Sequence, residues 1–281
     1  MKNILITGSN SYIGNSLKEW LAKYPDDYKV EAISVRGEQW KNEDFSKYDV
    51  VFHAAGIAHQ KETDRNAGAY YLVNRDIAYN VAKKAIAEKV GQFIFLSSMS
   101  VYGMDTGVID ETTKPNPKSH YGKSKLEAEQ LIQPLEDKDF KVAVIRPPMI
   151  YGKGCKGNYQ SLSKLAKITP IFPKVENQRS MIYIDNLSEF VRLLIDNKET
   201  GTFHPQNEEY VCTSNIVNQI AESRNEKMLL TKLFNFGIDK MNFNLTNKLF
   251  GNLIYKKNIS SLERKYNEFN FVTSIKNTET D

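Results

Sequence analysis

The sequence predicts an α/β fold: a doubly wound parallel sheet with a smaller C-terminal lobe. Three observations carry it. Short apolar runs alternate with helical patterns, a glycine-rich turn joins the first run to the first helix, and this regular alternation loosens after Tyr151. Strands of such a sheet read as near-continuous apolar runs because helices cover both of its faces.

"NILIT" is the first run and ends in a Gly/Ser/Asn turn; "YIGNSLKEWLAKY" then sets Ile13, Leu17, Trp20, Leu21 and Tyr24 at helical spacing. That is strand, turn and helix. "YKVEAISV" and "YDVVFHAAG" read as two further buried strands, with only polar sequence around "RGEQWKNEDFSK" between them. The second ends in small residues that let a ligand approach the backbone. A long helix is expected over 68–88, then a strand in "GQFIFLSS", a helix starting near Tyr121, and a strand in "FKVAVIRPP". Residues 1–150 thus form the first lobe. Residues 151–281 form mainly a cap, with room for some elements to return to the first lobe. It carries Pro170 and Pro173, a strand-like "SMIYI", the helix "NLSEFVRLLIDN" and a mixed tail rich in Asn and Lys. No internal repeat or low-complexity linker interrupts the chain.

Composition narrows the class. At 281 residues, 41% hydrophobic and 26% charged, the chain can bury a sizeable core and has none of the bias of a disordered segment. Its 38 basic against 34 acidic residues leave +4, scattered along the chain, so nucleic acid is not indicated. The apolar run in "MKNILITGSN" is too short for a signal peptide, and no run reaches about 18 apolar residues. A cytoplasmic protein without stable membrane insertion is expected. Cys155 and Cys212 make neither a disulfide framework nor a ligand cluster, and His53, His59, His120 and His204 lack metal-site spacing. No metal is expected.

Four separated motifs now stand in order: "TGSNSYIG" after a strand, "FHAAG" and "SSMSVYG" at strand ends, and "YGKSK" on a helix. Together they resemble the extended short-chain dehydrogenase/reductase family, the NAD-dependent epimerases and dehydratases with a Rossmann-type sheet. "VIRPPMIYGKGCKGN" and "NQRSMIYIDN" extend the resemblance over roughly the first two thirds of the chain. "FKVAVIRPPMIYG", "ENQRSMIYI" and "KLFGNLIY" look most similar to capsule and O-antigen cluster proteins, among them nucleotide-sugar 4-ketoreductases and 4-epimerases.

In "TGSNSYIG", Gly8 permits the tight turn and Gly14 close helix-to-strand packing, while Ser11 occupies the usual middle glycine position. Serine is small enough there, and its hydroxyl can donate to a phosphate at the helix N-terminus. A capped helix start with no ligand is the plain alternative. The dinucleotide-binding set is Gly8, Ser11, Tyr12, Ile13, Gly14, Ser34, Arg36, Ala54, Ala55, Gly56, Asn74, Tyr121 and Lys125. Ser34 stands where an NAD-specific site normally offers an acid, and Arg36 is placed to meet a 2′-phosphate, so the cofactor is NADP, or NAD. The position of Asn74 resembles that of the family's helix asparagine near the cofactor, though a solvated helix residue would read alike.

Tyr121 and Lys125 lie at i and i+4 on one helix face, where an ammonium lowers the phenol's pKa toward working pH. Ser98, in a Ser-x-x-Val-Tyr-Gly context, is the third catalytic candidate, with Ser97 and Ser100 as rivals. Short hydroxyl residues at a strand end commonly serve the backbone instead. The resemblance also places Arg179 on the pyrophosphate of a nucleotide sugar, Asn158 and Ser98 beside the sugar, and Arg146-Pro147-Pro148 as a structural floor. It implies an NAD(P)-dependent nucleotide-sugar oxidoreductase, reducing C4 of a UDP-4-keto-6-deoxy-N-acetylhexosamine, with a UDP-hexose 4-epimerase as the alternative. A dehydratase is disfavoured because Met99 and Ser100 stand where that branch places acids. A non-catalytic nucleotide sensor is opposed by the intact Tyr121 and Lys125, and a homodimer through the two long helices is the expected assembly.

Overall fold

Six strands, all parallel, form one sheet in the order Gly201–Phe203, Lys141–Ile145, Gln92–Leu96, Val50–His53, Lys2–Thr7 and Tyr28–Ile33. In this computed structural model the described residues are 1–58, 60–233, 250–260, 262 and 264–280; His59 and the first two residues of "KLFGNLIY" lie outside them. The elements follow as β1 (Lys2–Thr7), α1 (Tyr12–Leu21), β2 (Tyr28–Ile33), β3 (Val50–His53), α2 (Ala67–Tyr70), a π-helical segment (Tyr71–Ile77), α3 (Ala78–Ala87) and β4 (Gln92–Leu96). Next come a 3₁₀ turn (Met99–Tyr102), β5 (Gly107–Ile109), α4 (His120–Ile132), β6 (Lys141–Ile145), β7 (Met149–Tyr151), α5 (Asn158–Ile168) and β8 (Ile171–Pro173). The chain continues with β9 (Met181–Tyr183), α6 (Ile184–Asn197), β10 (Gly201–Phe203), α7 (Thr213–Ser223), β11 (Leu229–Thr231) and β12 (Leu253–Tyr255). We number the last described helix, Phe271–Glu279, α8.

The chain divides into two units. The first, Met1–Gly103 with Lys114–Pro147 and Leu187–Pro205, holds the six-stranded sheet. Leu5, Val51, Phe93, Phe95, Val142 and Val144 are buried on one sheet face among Ala78, Val81, Ala82 and Ala85 of α3 and Ala128 and Ile132 of α4. The alternate residues Ile4, Ile6, Phe52, Ile94 and Ile145 are also buried, which is why these strands read as unbroken apolar runs.

The second unit, Met104–Thr113, Pro148–Asn186 and residues 206–281, is built from two-stranded parallel pairs, β5 with β12, β7 with β9 and β8 with β11. Tyr151 stacks on Tyr159 at 5.3 Å, and its hydroxyl accepts from Asn207 Nδ2 at 2.9 Å.

Several details depart from the sequence reading. β2 stops at Ile33 and β4 at Leu96, two residues short of the apolar runs. The β2–β3 connection, read as polar, buries Trp40 and Phe45 in the core where a crossover helix usually packs. The edge strand β10 was not anticipated, and the long helix carries a π-helical turn at its centre. Such turns are frequent at functional sites.

Candidate active site

The glycine turn closes the first strand over the third. Gly8 has φ +108°, and its amide and that of Ser9 both donate to the Ile33 carbonyl, at 2.8 and 3.0 Å. A Cβ on Gly8 would lie 2.9 Å from the Ala55 backbone, and one on Gly14 2.9 Å from Ile6 Cγ2. Glycine is therefore required at both, by backbone conformation at the first and by packing at both. Ser11 has φ −72°, ordinary for any residue, and caps α1 by accepting from the Gly14 amide at 3.2 Å. Its O–H remains able to donate to an anion beside the first-turn amides of Tyr12 and Ile13. The missing middle glycine costs this turn nothing in backbone strain.

Beyond β2, Ser34 and Arg36 are exposed, and Ser34 Oγ accepts from the Arg36 amide at 3.2 Å. Glu31 lies inside the strand, where its carboxylate takes the Tyr48 hydroxyl at 2.5 Å and Lys47 at 3.3 Å. No carboxylate from that strand stands at its end.

Ala54 and Ala55 are buried where β3 ends, next to Gly56. A Cβ on Gly56 would lie 3.0 Å from Asn74 Oδ1 and 3.3 Å from Lys125 Nζ. Asn74 is fully buried, which removes the solvated reading. Its Oδ1 accepts from the Ile57 amide at 2.8 Å, and its Nδ2 donates to the Ile57 carbonyl and to Ser124 Oγ. It pins the end of β3 to α4. The side-chain-free backbone at Gly8 and Gly56 fits an extended dinucleotide along these strand ends, the position where open α/β sheets take their ligands.

Ser98 and Tyr121 are brought together, the Ser98 hydroxyl close enough to the phenol to act on its pKa. Ser98 also accepts from the Ser100 amide at 3.1 Å and donates to Ser100 Oγ at 3.2 Å. Burial raises the Tyr121 phenol above its ordinary value, and Ser98 pulls it back. The Lys125 ammonium donates to the Leu96 carbonyl at 2.7 Å and stands 4.8 Å over the Phe95 ring. Burial lowers Lys125 to about 8, and the Glu129 carboxylate opposes the shift.

Sequence reasoning missed two acids near these residues. Glu129 is buried one turn beyond Lys125, accepts from the Ser97 hydroxyl, and pairs with Arg146 at 2.5 Å. Arg146 Nη1 in turn donates to the Tyr102 hydroxyl at 2.8 Å, and that hydroxyl meets His204 Nε2 at 2.8 Å. Glu62 accepts from the amides of His120 and Tyr121 at 2.9 and 3.0 Å, capping α4 beside Ser119. The signal for Glu129 was available: i+4 from Lys125 puts both on the sheet-facing side of one helix.

In the second unit, Arg179 is half-buried and its Nη1 donates to the Gly251 carbonyl at 2.9 Å. Burial lowers its pKa, against the pull of Asp105. Asn158 is exposed in the first turn of α5, after Gly157. Among the described residues no helix is long and apolar enough to cross a membrane, and no cluster of His, Cys, Asp and Glu could hold a metal ion.

Fold and motifs together define an extended short-chain dehydrogenase/reductase. Residues 4–212 match the model of the NAD dependent epimerase/dehydratase family, and the chain belongs to that family. A UDP-glucose 4-epimerase of Vibrio cholerae is 33% identical over 249 residues, covering 78% of this chain and 75% of that protein. An N-acetyl-alpha-D-glucosaminyl-diphospho-ditrans,octacis-undecaprenol 4-epimerase of Escherichia coli O157:H7 is 27% identical over 246 residues, 80% of this chain and 73% of that one. The crystal structure of a UDP-glucuronic acid 4-epimerase from Bacillus cereus in complex with NAD has a TM-score of 0.76 over 99% of this chain and 97% of its own, at 19% identity, which is a likeness of fold. The protein is an enzyme of the epimerase and reductase type.

Proposed function

We propose that the protein is an NAD(P)-dependent UDP-sugar 4-epimerase, with Ser98, Tyr121 and Lys125 as its catalytic residues. The observation that carries this is the nearness of Ser98 to Tyr121, with the buried Lys125 one turn along the same helix, which sets a protonatable oxygen and a cation on one face of α4. Two curated relatives, each covering about four fifths of the chain, are named as 4-epimerases of sugars borne on a diphosphate.

The dinucleotide would lie on Gly8, Ser11, Tyr12, Ile13 and Gly14, along Ala54, Ala55 and Gly56, with its adenosine ribose toward Ser34 and Arg36. When bound, the nicotinamide supplies a hydride acceptor and donor. Tyr121, protonated as it stands, must first give up its phenol proton; as phenolate it takes the proton of the C4 hydroxyl onto its oxygen and returns it, acting as base and then acid at one atom. Ser98 donates a hydrogen bond to the C4 oxygen, where charge develops. Lys125 supplies the positive charge that stabilises Tyr121 when deprotonated and binds the nicotinamide ribose. Asn74 orients the end of β3. Arg179 and Asn158 of the second unit hold the UDP-sugar, a planar guanidinium suiting a diphosphate. Leu72 and Leu131, both exposed on the two long helices, are the apolar contacts a homodimer would bury.

The second reading is a 4-ketoreductase of a UDP-4-keto-6-deoxy-N-acetylhexosamine. Ser34 and Arg36 favour it, since a site open to NADPH suits an enzyme that must exchange its reduced cofactor. The test incubates purified protein with UDP-glucose and UDP-N-acetylglucosamine without added reductant, and separately with the 4-keto sugar and NADPH. Inversion at C4 with no net cofactor consumption sustains the epimerase. Stoichiometric NADPH oxidation without inversion of the UDP-hexoses replaces it with the ketoreductase.

A further inference from the structure

Glu129 is a carboxylate with 1% of its surface exposed, one helical turn beyond Lys125 on α4. Pairing it with Arg146 in the interior is a poor way to stabilise a fold. Desolvating two charges offsets most of their attraction, and apolar side chains of similar volume generally serve as well. Its purpose is better sought in what it holds.

Arg146 gives Glu129 three bonds, from Nε at 3.1 and 3.2 Å and from Nη2 at 2.5 Å. The Ser97 hydroxyl also donates to Glu129. Leu96 and Ser97 are the two residues that precede Ser98. Helix α4 therefore grips the end of β4 twice, Lys125 on the Leu96 carbonyl and Glu129 on the Ser97 side chain. Sheet contacts fix the same stretch, the Ser97 amide donating to Ile145 at 2.7 Å and the Met99 amide to Pro147 at 2.9 Å. Ser98 leaves that double grip directly onto Tyr121. Two groups bear on Lys125: Glu129 on its own helix, itself paired with Arg146 and carrying the charge that opposes the effect of burial, and, from β3, His53, which burial keeps neutral.

We propose that Glu129, braced by Arg146, is a positioning residue that, through Ser97, sets Ser98 against Tyr121 and holds a negative charge one helical turn from Lys125. This rests on the assignment of Ser98, Tyr121 and Lys125 as the catalytic group.

The test begins with a reading that needs no substrate. In protein labelled with 13C at lysine Cε, the Lys125 resonance, identified by its loss in Lys125→Arg, titrates at about 8. In Glu129→Gln it moves down by about half a pH unit or more, because the one attracting charge is gone. The same variant loses about tenfold or more in kcat with KM within about threefold, the signature of misplaced groups rather than lost binding. Should Glu129→Gln not fold, Glu129→Met with Arg146→Met removes both charges at similar volume; it is expected to fold with an equal or higher Tm and to show the same lysine shift and kcat loss. A Lys125 titration unchanged in a folded variant would overturn the proposal. So would parental kcat in the double variant, and so would failure of both variants to fold, which makes the pair a structural brace only. A shifted Lys125 in a protein whose parent turns over no nucleotide sugar sustains the positioning role and sinks the catalytic reading instead.

Discussion

The Ser98 hydroxyl stands close to the Tyr121 phenol and pulls it back toward its ordinary pKa, against the burial that raises it. The resting site therefore holds Tyr121 as a neutral acid. Lys125, committed to the Leu96 carbonyl, is the group nearer its titration point.

Tyr121→Phe removes the proton-transferring oxygen and leaves the ring, which contacts Tyr70 at 6.5 Å. Turnover should fall by about 10²-fold or more, while dinucleotide affinity, measured by fluorescence titration, stays within about twofold. Retention of more than about a tenth of the activity would rule out the acid–base role.

The alkaline limb of kcat/KM should fall at about pH 8, where Lys125 loses its proton while the raised phenol keeps its own. Activity that needs the cation is present below that pH and lost above it. Lys125→Arg keeps the charge at every accessible pH, so its remaining activity should show no such limb. A limb at the parental pH in that variant would assign the titration to another group.

How much of this was readable beforehand follows from how local each feature is. Gly8 and Gly14 answer to a turn of seven residues, and Tyr121 and Lys125 to one helical repeat, so both pairs were visible as spacing. The Lys125 ammonium answers to Leu96, 29 residues away, and Glu129 to Arg146, 17 residues away. In sequence Glu129 looks like one more solvated charge in "KLEAEQ", and only its i+4 spacing from Lys125 marks the helix face it shares. Trp40 and Phe45 were hidden in the same way by their polar neighbours. The strand β10 has three residues and pairs on one side only, too short to show a period.

His53 gives a stability prediction. It is fully buried, bonded through Nδ1 to Thr7 Oγ1 at 2.7 Å and stacked between Phe93 and Phe95, each at 6.0 Å. Burial, with Lys125 adding to it, lowers its pKa to about 3. The unfolded imidazole takes a proton below about 6.5 and the folded one only near 3, so in that window the unfolded state binds more protons. Stability should therefore fall as pH falls, by up to about 1.4 kcal/mol per unit from this group. Urea unfolding between about pH 4 and 6.5 should show a shallower loss in His53→Gln than in the parent. Parallel slopes would remove His53 as the source.

The last prediction concerns cofactor choice, and the geometry at the end of β2 carries it. An NAD-specific site places a carboxylate there to accept from the ribose 2′-hydroxyl. Here the strand ends at Ile33, whose carbonyl takes the Gly8 amide, so the next residue outward, Ser34, is the one beside the glycine turn. Glu31 is held inside the strand by Tyr48 and Lys47, and Glu38 lies further on, paired with Lys41. Neither can repel a 2′-phosphate from that position. Arg36, exposed two residues beyond Ser34, can meet one, and Ser34 Oγ, which accepts from the Arg36 amide, holds the turn that presents it. NADPH should therefore bind at least as tightly as NADH, and Arg36→Ala should weaken NADPH by about tenfold while leaving NADH within about twofold, as expected for loss of one charge-assisted phosphate contact. Fluorescence titration of both reduced cofactors against parent and variant reads this without any sugar. A strong preference for NADH, unchanged by the substitution, would return the end of β2 to an ordinary solvated turn.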